Sequence, residues 1–124
     1  MVELFKALSD ENRLRMVNLL MNDELCVCEI EVILEMTQSN ASRHLVKLKG
    51  SGVIDSSKDA QWVHYKVSDE FKKNNIELIK YLQNSFSRKS IFKRDSERYL
   101  RYKKHELNCK CIKENKDQVL NLIK

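Results

Sequence analysis

Apolar residues recur three or four positions apart through the first third of the chain, the pattern of short amphipathic helices. Val2–Leu8 predicts a first helix, and Ser9-Asp10-Glu11-Asn12 follows it. Ser9 or Asp10 can cap a second helix by accepting bonds from its free first-turn amides. Leu14, Val17, Leu20 and Met21 mark that helix's buried face. Residues 29–35 read as a short helix with Ile30, Ile33 and Leu34 inward, and Thr37 ends a turn. In the next helix, residues 38–50, Ala41, Leu45 and Leu48 share one face, while Gln38, Ser39, Ser42, Arg43 and Lys47 share another. Two short helices joined by a tight turn, the second polar on its outer face, follow the helix–turn–helix plan.

The period then changes. Gly52 stops the helix, and residues 53–57 and 62–67 are rich in β-branched and aromatic residues, predicting two strands. Lys58-Asp59-Ala60-Gln61 is the polar tip between them, which makes the pair a wing. A long helix is expected from Asp69, with Phe71, Leu78, Ile79, Leu82 and Phe86 as an apolar seam. A small domain cannot cover so long a seam alone, so it predicts dimerisation. Residues 87–124 carry only sparse anchors (Ile91-Phe92, Tyr99-Leu100, Val119-Leu120, Leu122-Ile123) among many charges, and predict weakly docked helix. The expected fold class is mainly α with a small β-hairpin. It is a dimeric winged helix–turn–helix domain over residues 1–86, followed by a basic helical extension over residues 87–124 that carries a C-x-C pair.

Composition supports this reading. The 124 residues include no proline and two glycines, so helix breakers are scarce. The length suits one domain with an appendage. The N-terminus lacks the basic start, apolar run and cleavage site of an export signal, and no stretch approaches the ~18 apolar residues that span a bilayer. The expected location is the cytoplasm, with no membrane partner. There, the four cysteines are expected as thiols or thiolates rather than structural disulfides. Residues 1–86 hold 11 Lys/Arg against 13 Asp/Glu, a net of −2, and residues 87–124 hold 12 against 5, a net of +7. Charge alone would put a nucleic-acid surface in the extension; the motifs put it on the helix over residues 38–50.

A recognition helix needs short polar side chains near its start to approach base edges, with Arg or Lys for guanine or phosphate. Gln38, Ser39, Asn40, Ser42, Arg43 and His44 supply that set. Lys47 and Lys49 are placed for the DNA backbone, and Lys58 sits on the wing. The expected partner is double-stranded operator DNA. An enzyme is the contrasting class: Cys26 with His44 or His64 suggests a nucleophile and base, but no oxyanion loop or third partner accompanies them.

Four stretches in order, covering residues from about 3 to 70, make the sequence resemble the ArsR/SmtB metal-responsive repressors. They are Phe5-Lys6-Ala7-Leu8-Ser9-Asp10-Glu11-Asn12-Arg13-Leu14-Arg15, Glu24-Leu25-Cys26-Val27-Cys28-Glu29-Ile30, Gln38-Ser39-Asn40-Ala41-Ser42-Arg43-His44-Leu45 and Trp62-Val63-His64-Tyr65-Lys66-Val67-Ser68. The resemblance implies a homodimer that binds an inverted repeat, represses a resistance operon and leaves the DNA when metal binds. The wing departs from the family: Lys58-Asp59-Ala60 stands where such proteins commonly carry Arg and Gly. The extension receives no support from the resemblance.

The cysteines form two C-x-C pairs, Cys26/Cys28 and Cys109/Cys111. On an ideal helix, residues two apart point about 200° apart, so one ion takes both only if the chain is extended or the first turn unwinds. The Glu-Leu-Cys-Val-Cys motif resembles the ligand signature of the family's arsenic, antimony, cadmium and lead sensors. Soft thiolates select soft ions, and the expected inducer is arsenic(III) or antimony(III), with cadmium or lead as the alternative. Family arsenic sensors often add a cysteine three residues beyond the pair, where this chain has Glu31; cadmium and lead sensors add an N-terminal pair, and residues 1–25 hold no cysteine. The missing thiolates therefore come from Cys109 or Cys111, of the same subunit or its partner. His105 is a further candidate ligand. The family's other zinc site, on the dimer helix, needs histidines that residues 69–86 lack. A thiol redox switch is the remaining alternative. Adjacent C-x-C disulfides are strained, so oxidation is expected to link the two pairs.

Overall fold

The computed structural model describes residues 1–124. Two helices open the chain, α1 (Val2–Leu8) and α2 (Glu11–Leu20). Asp10 is the cap of α2: its carboxylate accepts from the Arg13 amide at 3.1 Å, while the Ser9 hydroxyl turns back to donate to the Lys6 carbonyl. A two-residue strand, β1 (Leu25–Cys26), leads directly into α3 (Val27–Leu34). Glu35, at φ 56°, takes the left-handed conformation that ends α3. The Thr37 hydroxyl then caps α4 (Gln38–Gly50) by accepting from the Asn40 amide at 3.2 Å. Helices α3 and α4 are the expected helix–turn–helix.

The wing is β2 (Ile54–Asp59) and β3 (Trp62–Val67), antiparallel in register from Ile54↔Val67 to Asp59↔Trp62. Pairing runs two residues further than the alternation predicts. Lys58 and Asp59 lie in the strand, and only Ala60 and Gln61 remain in the turn, Ala60 with φ 56°. The sheet order is β1-β3-β2, because Leu25 and Cys26 pair with Tyr65 and His64. Strand β1 was not expected, since two residues are too short to show alternation. It ties the first C-x-C motif to the wing.

The helix expected from Asp69 is broken. α5 (Asp69–Asn74) stops at Asn75, which leaves helical geometry at φ −134°, and α6 (Ile76–Phe86) begins anew. Much of the predicted seam is used within the chain: Phe71, Ile79, Leu82 and Phe86 are buried, and Phe86 packs on Phe92 with ring centroids 4.6 Å apart. Exposed apolar residues include Ile76 and Tyr81 on α6 and Val2 and Phe5 on α1.

The extension corrects the expectation of weak docking. It forms α7 (Ser90–Lys104), α8 (Cys109–Glu114) and α9 (Lys116–Leu122), and Phe92, Tyr102, Ile112, Val119 and Ile123 join the same core as Met16, Ile30 and Leu45. Apolar counting misses this because two of α7's buried anchors are charged. Asp95, Arg98 and Tyr102, spaced three and four apart, form one buried stripe.

Candidate thiolate centre and DNA-reading face

Cys26 precedes α3 in extended geometry (φ −84°, ψ 166°), and Cys28 lies in the helix's first turn. The extended residue removes the angular conflict of two helical cysteines, and the two Sγ atoms lie 2.9 Å apart. No unwinding of α3 is needed to bring them together. Cys109, at the start of α8, joins them: the three sulfurs lie within 4.8 Å of one another. The structure pairs Cys26 with Cys109 as a disulfide across 83 residues of sequence, a bond that links one member of each C-x-C pair. This corrects the expectation of four free thiols. Cys28 and Cys111 remain free and half-buried, and Cys111 stands outside the trio. His105 caps the end of α7, is exposed, and is not part of the cluster.

Burial first, and the nearby Glu29 charge second, push the Cys28 thiol up to about 11. Cys28 therefore stays a thiol at neutral pH. Glu29 shapes the site in a second way. One carboxylate oxygen accepts from the Cys26 amide at 3.0 Å, closing the start of α3, and the other accepts from the Tyr102 hydroxyl. Burial and that carboxylate drive the Tyr102 hydroxyl's pKa far upward, so it remains a donor. Three sulfurs with no competing oxygen or nitrogen ligand suit a soft ion. A three-sulfur ion site and the disulfide exclude each other, because the disulfide uses two of the three sulfurs.

The other end of α3 is held by arginines. Arg98 donates to the carbonyls of Ile33 and Val32 at 2.7 and 2.8 Å, and Arg15 donates to that of Leu34 at 2.9 Å. These are among the last carbonyls of the helix, which have no partners within it. Arg15 also grips the fully buried Asp95 with two bonds, at 2.7 and 2.9 Å. Glu35, in the turn before α4, pairs with Arg98 at 2.8 Å and Arg94 at 3.1 Å.

On α4, Gln38, Ser39, Arg43 and Lys47 are exposed and Asn40 and Ser42 partly so, which keeps them on an open face; Arg43 donates to the Asn40 side chain at 2.6 Å. Lys58 is exposed on the wing. His44 is placed differently from the expectation. It is buried beside Ala41, Leu45 and Leu48, and its Nδ1 accepts from Arg13 at 3.2 Å. Arginine can only donate, so this nitrogen carries no proton. Burial, the main cause, holds the imidazole pKa below its ordinary 6.5. Arg13 also donates to the Ala7 carbonyl at 2.6 Å, so His44 serves to join α1 to α4 rather than to face DNA. The sequence reading missed Val46, which is 71% exposed between Arg43 and Lys47. A valine is read by default as core, but on this face a methyl group suits the thymine methyl of the major groove.

Residues 10–56 match the profile described as bacterial regulatory protein, arsR family. The cadmium resistance transcriptional regulatory protein CadC of Listeria innocua is 47% identical over 75 residues, 60% of this chain and 63% of its own length. The arsenical resistance operon repressor of Escherichia coli is 46% identical over 68 residues, 54% of this chain and 58% of its own. The solved structure of reduced HlyU from Vibrio cholerae superposes with a TM-score of 0.56 at 40% identity, covering 65% of this chain and 85% of HlyU. The chain belongs to the ArsR family. The homodimeric winged helix–turn–helix DNA-binding domain of Mycobacterium bovis Mb0332 shares the fold, with a TM-score of 0.60 at 24% identity over 67% of this chain and 77% of that one. The chain is thus similar to proteins named as transcriptional regulators and operon repressors. It spans less than two thirds of the lengths of the CadC and arsenical-repressor relatives. No helix is long and apolar enough to cross a membrane.

Proposed function

We propose that this ArsR-family chain represses a resistance operon as a homodimer and leaves its operator when Cys26, Cys28 and Cys109 of one subunit take up arsenic(III) or antimony(III). The observation that carries the reading is the meeting of both C-x-C motifs at a single point, with three sulfurs within 4.8 Å in one chain. Three thiolates match the trigonal preference of these ions, and Cys111 is not needed to reach that number. Residues Gln38, Ser39, Asn40, Ser42, Arg43 and Lys47 read an inverted repeat, with Lys58 on the wing. The uncovered Val2, Phe5, Ile76 and Tyr81 suit a subunit interface, and a solved neighbour is homodimeric. Cys26 sits where α3 begins and where β1 pairs with the wing strand at His64, so ligation acts on both parts of the DNA-reading unit.

Titrating operator release with arsenite, antimonite, cadmium and lead, under anaerobic reductant, tests the reading. Release by arsenite at a lower concentration than by cadmium or lead is expected, with three sulfurs per ion by X-ray absorption. Preferential release by cadmium or lead would transfer the function to those ions, which accept three or four thiolates. A second reading, a thiol redox switch, is favoured by the Cys26–Cys109 disulfide. Release by an oxidant, with no effect of any of the four ions on the reduced protein, would select it.

A further inference from the structure

Helix α7 touches both ends of α3. At the end near the sulfurs, Tyr102 is bonded to Glu29, whose other oxygen holds the Cys26 amide. At the end near the DNA-reading helix, Arg98 holds the Val32 and Ile33 carbonyls and Glu35. Asp95, on the same face, fixes Arg15, which holds the Leu34 carbonyl. Every polar group in this stripe is satisfied, and Asp95, Arg98 and Tyr102 are 0%, 3% and 0% exposed. The chain from the end of α7 to Cys109 is short and tied back, with the His105 amide bonded to the Arg101 carbonyl and the Leu107 amide to the Tyr102 carbonyl.

We propose that α7 is a strut carrying the state of the thiolate centre to the recognition helix, with Arg98 as the positioning residue at its far end. The inference rests on the ion-responsive reading above and assigns its coupling route. Ligation of Cys109 together with Cys26 and Cys28 fixes the end of α7 against the start of α3, where a reduced, ion-free chain keeps only the Tyr102–Glu29 bond. A 15-residue helix, about 22 Å long at 1.5 Å per residue, moves as a rigid body. Its Arg98 then displaces the α3 carbonyls and Glu35, which precede the Thr37 cap of α4. Glu35 is the responsive point. Its left-handed backbone is unusual for a side-chain-bearing residue, and two arginines of α7 grip its carboxylate. The extension is thus part of the switch itself as well as the source of a ligand.

The test uses the full chain with reduced thiols, arsenite as the probe, and operator DNA followed by fluorescence anisotropy. In the wild type, the ratio of operator affinity without and with arsenite is expected in the range of roughly 5–150-fold typical of allosteric coupling. In Arg98→Gln, arsenite affinity and sulfur coordination number should stay within about threefold and unchanged respectively, while that ratio falls to near one. A residue that merely supports the fold would weaken operator binding equally with and without arsenite and leave the ratio at its wild-type value, which overturns the proposal. Loss of arsenite binding in Arg98→Gln also overturns it, since the strut lies beyond the ligands. Should Arg98→Gln not fold, Arg98→Lys, which keeps the charge beside Glu35 but lacks the forked donors, takes its place. A reduced ratio there supports the strut, and an unchanged one removes it. A wild-type ratio of one, with arsenite bound or unbound, would count against the ion-responsive reading rather than against the route.

Discussion

In residues 1–86 the chain is held by apolar packing: Met16, Val17, Ile30, Ile33, Leu48 and Ile54 are wholly buried and follow the helical and strand periods of their segments. In residues 87–124 apolar anchors are joined by buried polar contacts that reach across the sequence. They join Arg15 to Asp95, Arg98 to the α3 carbonyls, Tyr102 to Glu29, and both Tyr99 and Lys103 to Asp23. Apolar packing is tolerant, and costs scale with the volume removed. A buried polar contact is intolerant in a different way, since removing one partner strands the other. The winged unit should therefore lose stability gradually under mutation, and the extension should detach when a single partner is lost.

Asp95→Ala breaks this contrast most severely. It leaves the Arg15 guanidinium, whose side chain is 11% exposed, without its carboxylate. A loss of about 3–5 kcal/mol is expected in urea unfolding, as for other broken buried ion pairs. The double replacement Arg15→Met with Asp95→Leu should recover much of it, because no charge is then stranded. An Asp95→Ala loss no larger than that of an exposed pair, under about 1 kcal/mol, would show that the extension is held by its apolar anchors alone.

Tyr102→Phe removes one hydroxyl and little volume, and should cost about 1–3 kcal/mol by leaving the Glu29 oxygen unpartnered. Hydrogen exchange should show faster opening at Cys26 and α8 than in the wing. Arg43→Ala sharpens the comparison from the other side. Arg43 is exposed, so unfolding stability should not change, while operator binding weakens by roughly 1–3 kcal/mol. Equal operator affinity would move the reading surface to the basic extension.

The smallest effect expected is on pH dependence. His44 is held below its ordinary pKa of 6.5, chiefly by burial; Arg13, Arg43 and Lys47 act in the same direction and Asp10 against it. The unfolded chain then binds the proton more readily than the folded one. Stability is fully present above about 6.5 and declines as pH falls from there to the lower folded value. His44→Gln should flatten that decline in thermal melts at pH 5 to 7, and a slope equal to the wild type's would assign it to other groups.

Where side chains followed an apolar period, the architecture was legible in the sequence. The recognition helix was read over residues 38–50, where α4 lies, and the two wing strands were read two residues short at the tip of the first. The two C-x-C pairs were expected to meet either at a shared soft ion or by oxidation, and the structure joins them through the Cys26–Cys109 disulfide. Reading failed where polarity and position parted company. Asp95 and Arg98 are charged yet buried, so the docking of α7 left no apolar trace. His44 turned inward because Arg13 offered it a donor, and Val46 turned outward. Asn75 broke a helix that no Gly or Pro announced.

The meeting of Cys26 with Cys109 also changes the topology of the chain. Joined there, by a disulfide or through a shared ion, the polypeptide becomes a closed ring of more than eighty residues that contains the recognition helix, the wing and all of α7. An unfolded ring has fewer shapes than an unfolded thread. In the chain-entropy picture, closing a loop of this size penalises the unfolded state by on the order of 4–5 kcal/mol. A molecule whose ring is closed should therefore melt at a higher temperature and resist proteases for longer than its open counterpart. Its thermal shift against arsenite would register ligation even in a variant that no longer binds DNA.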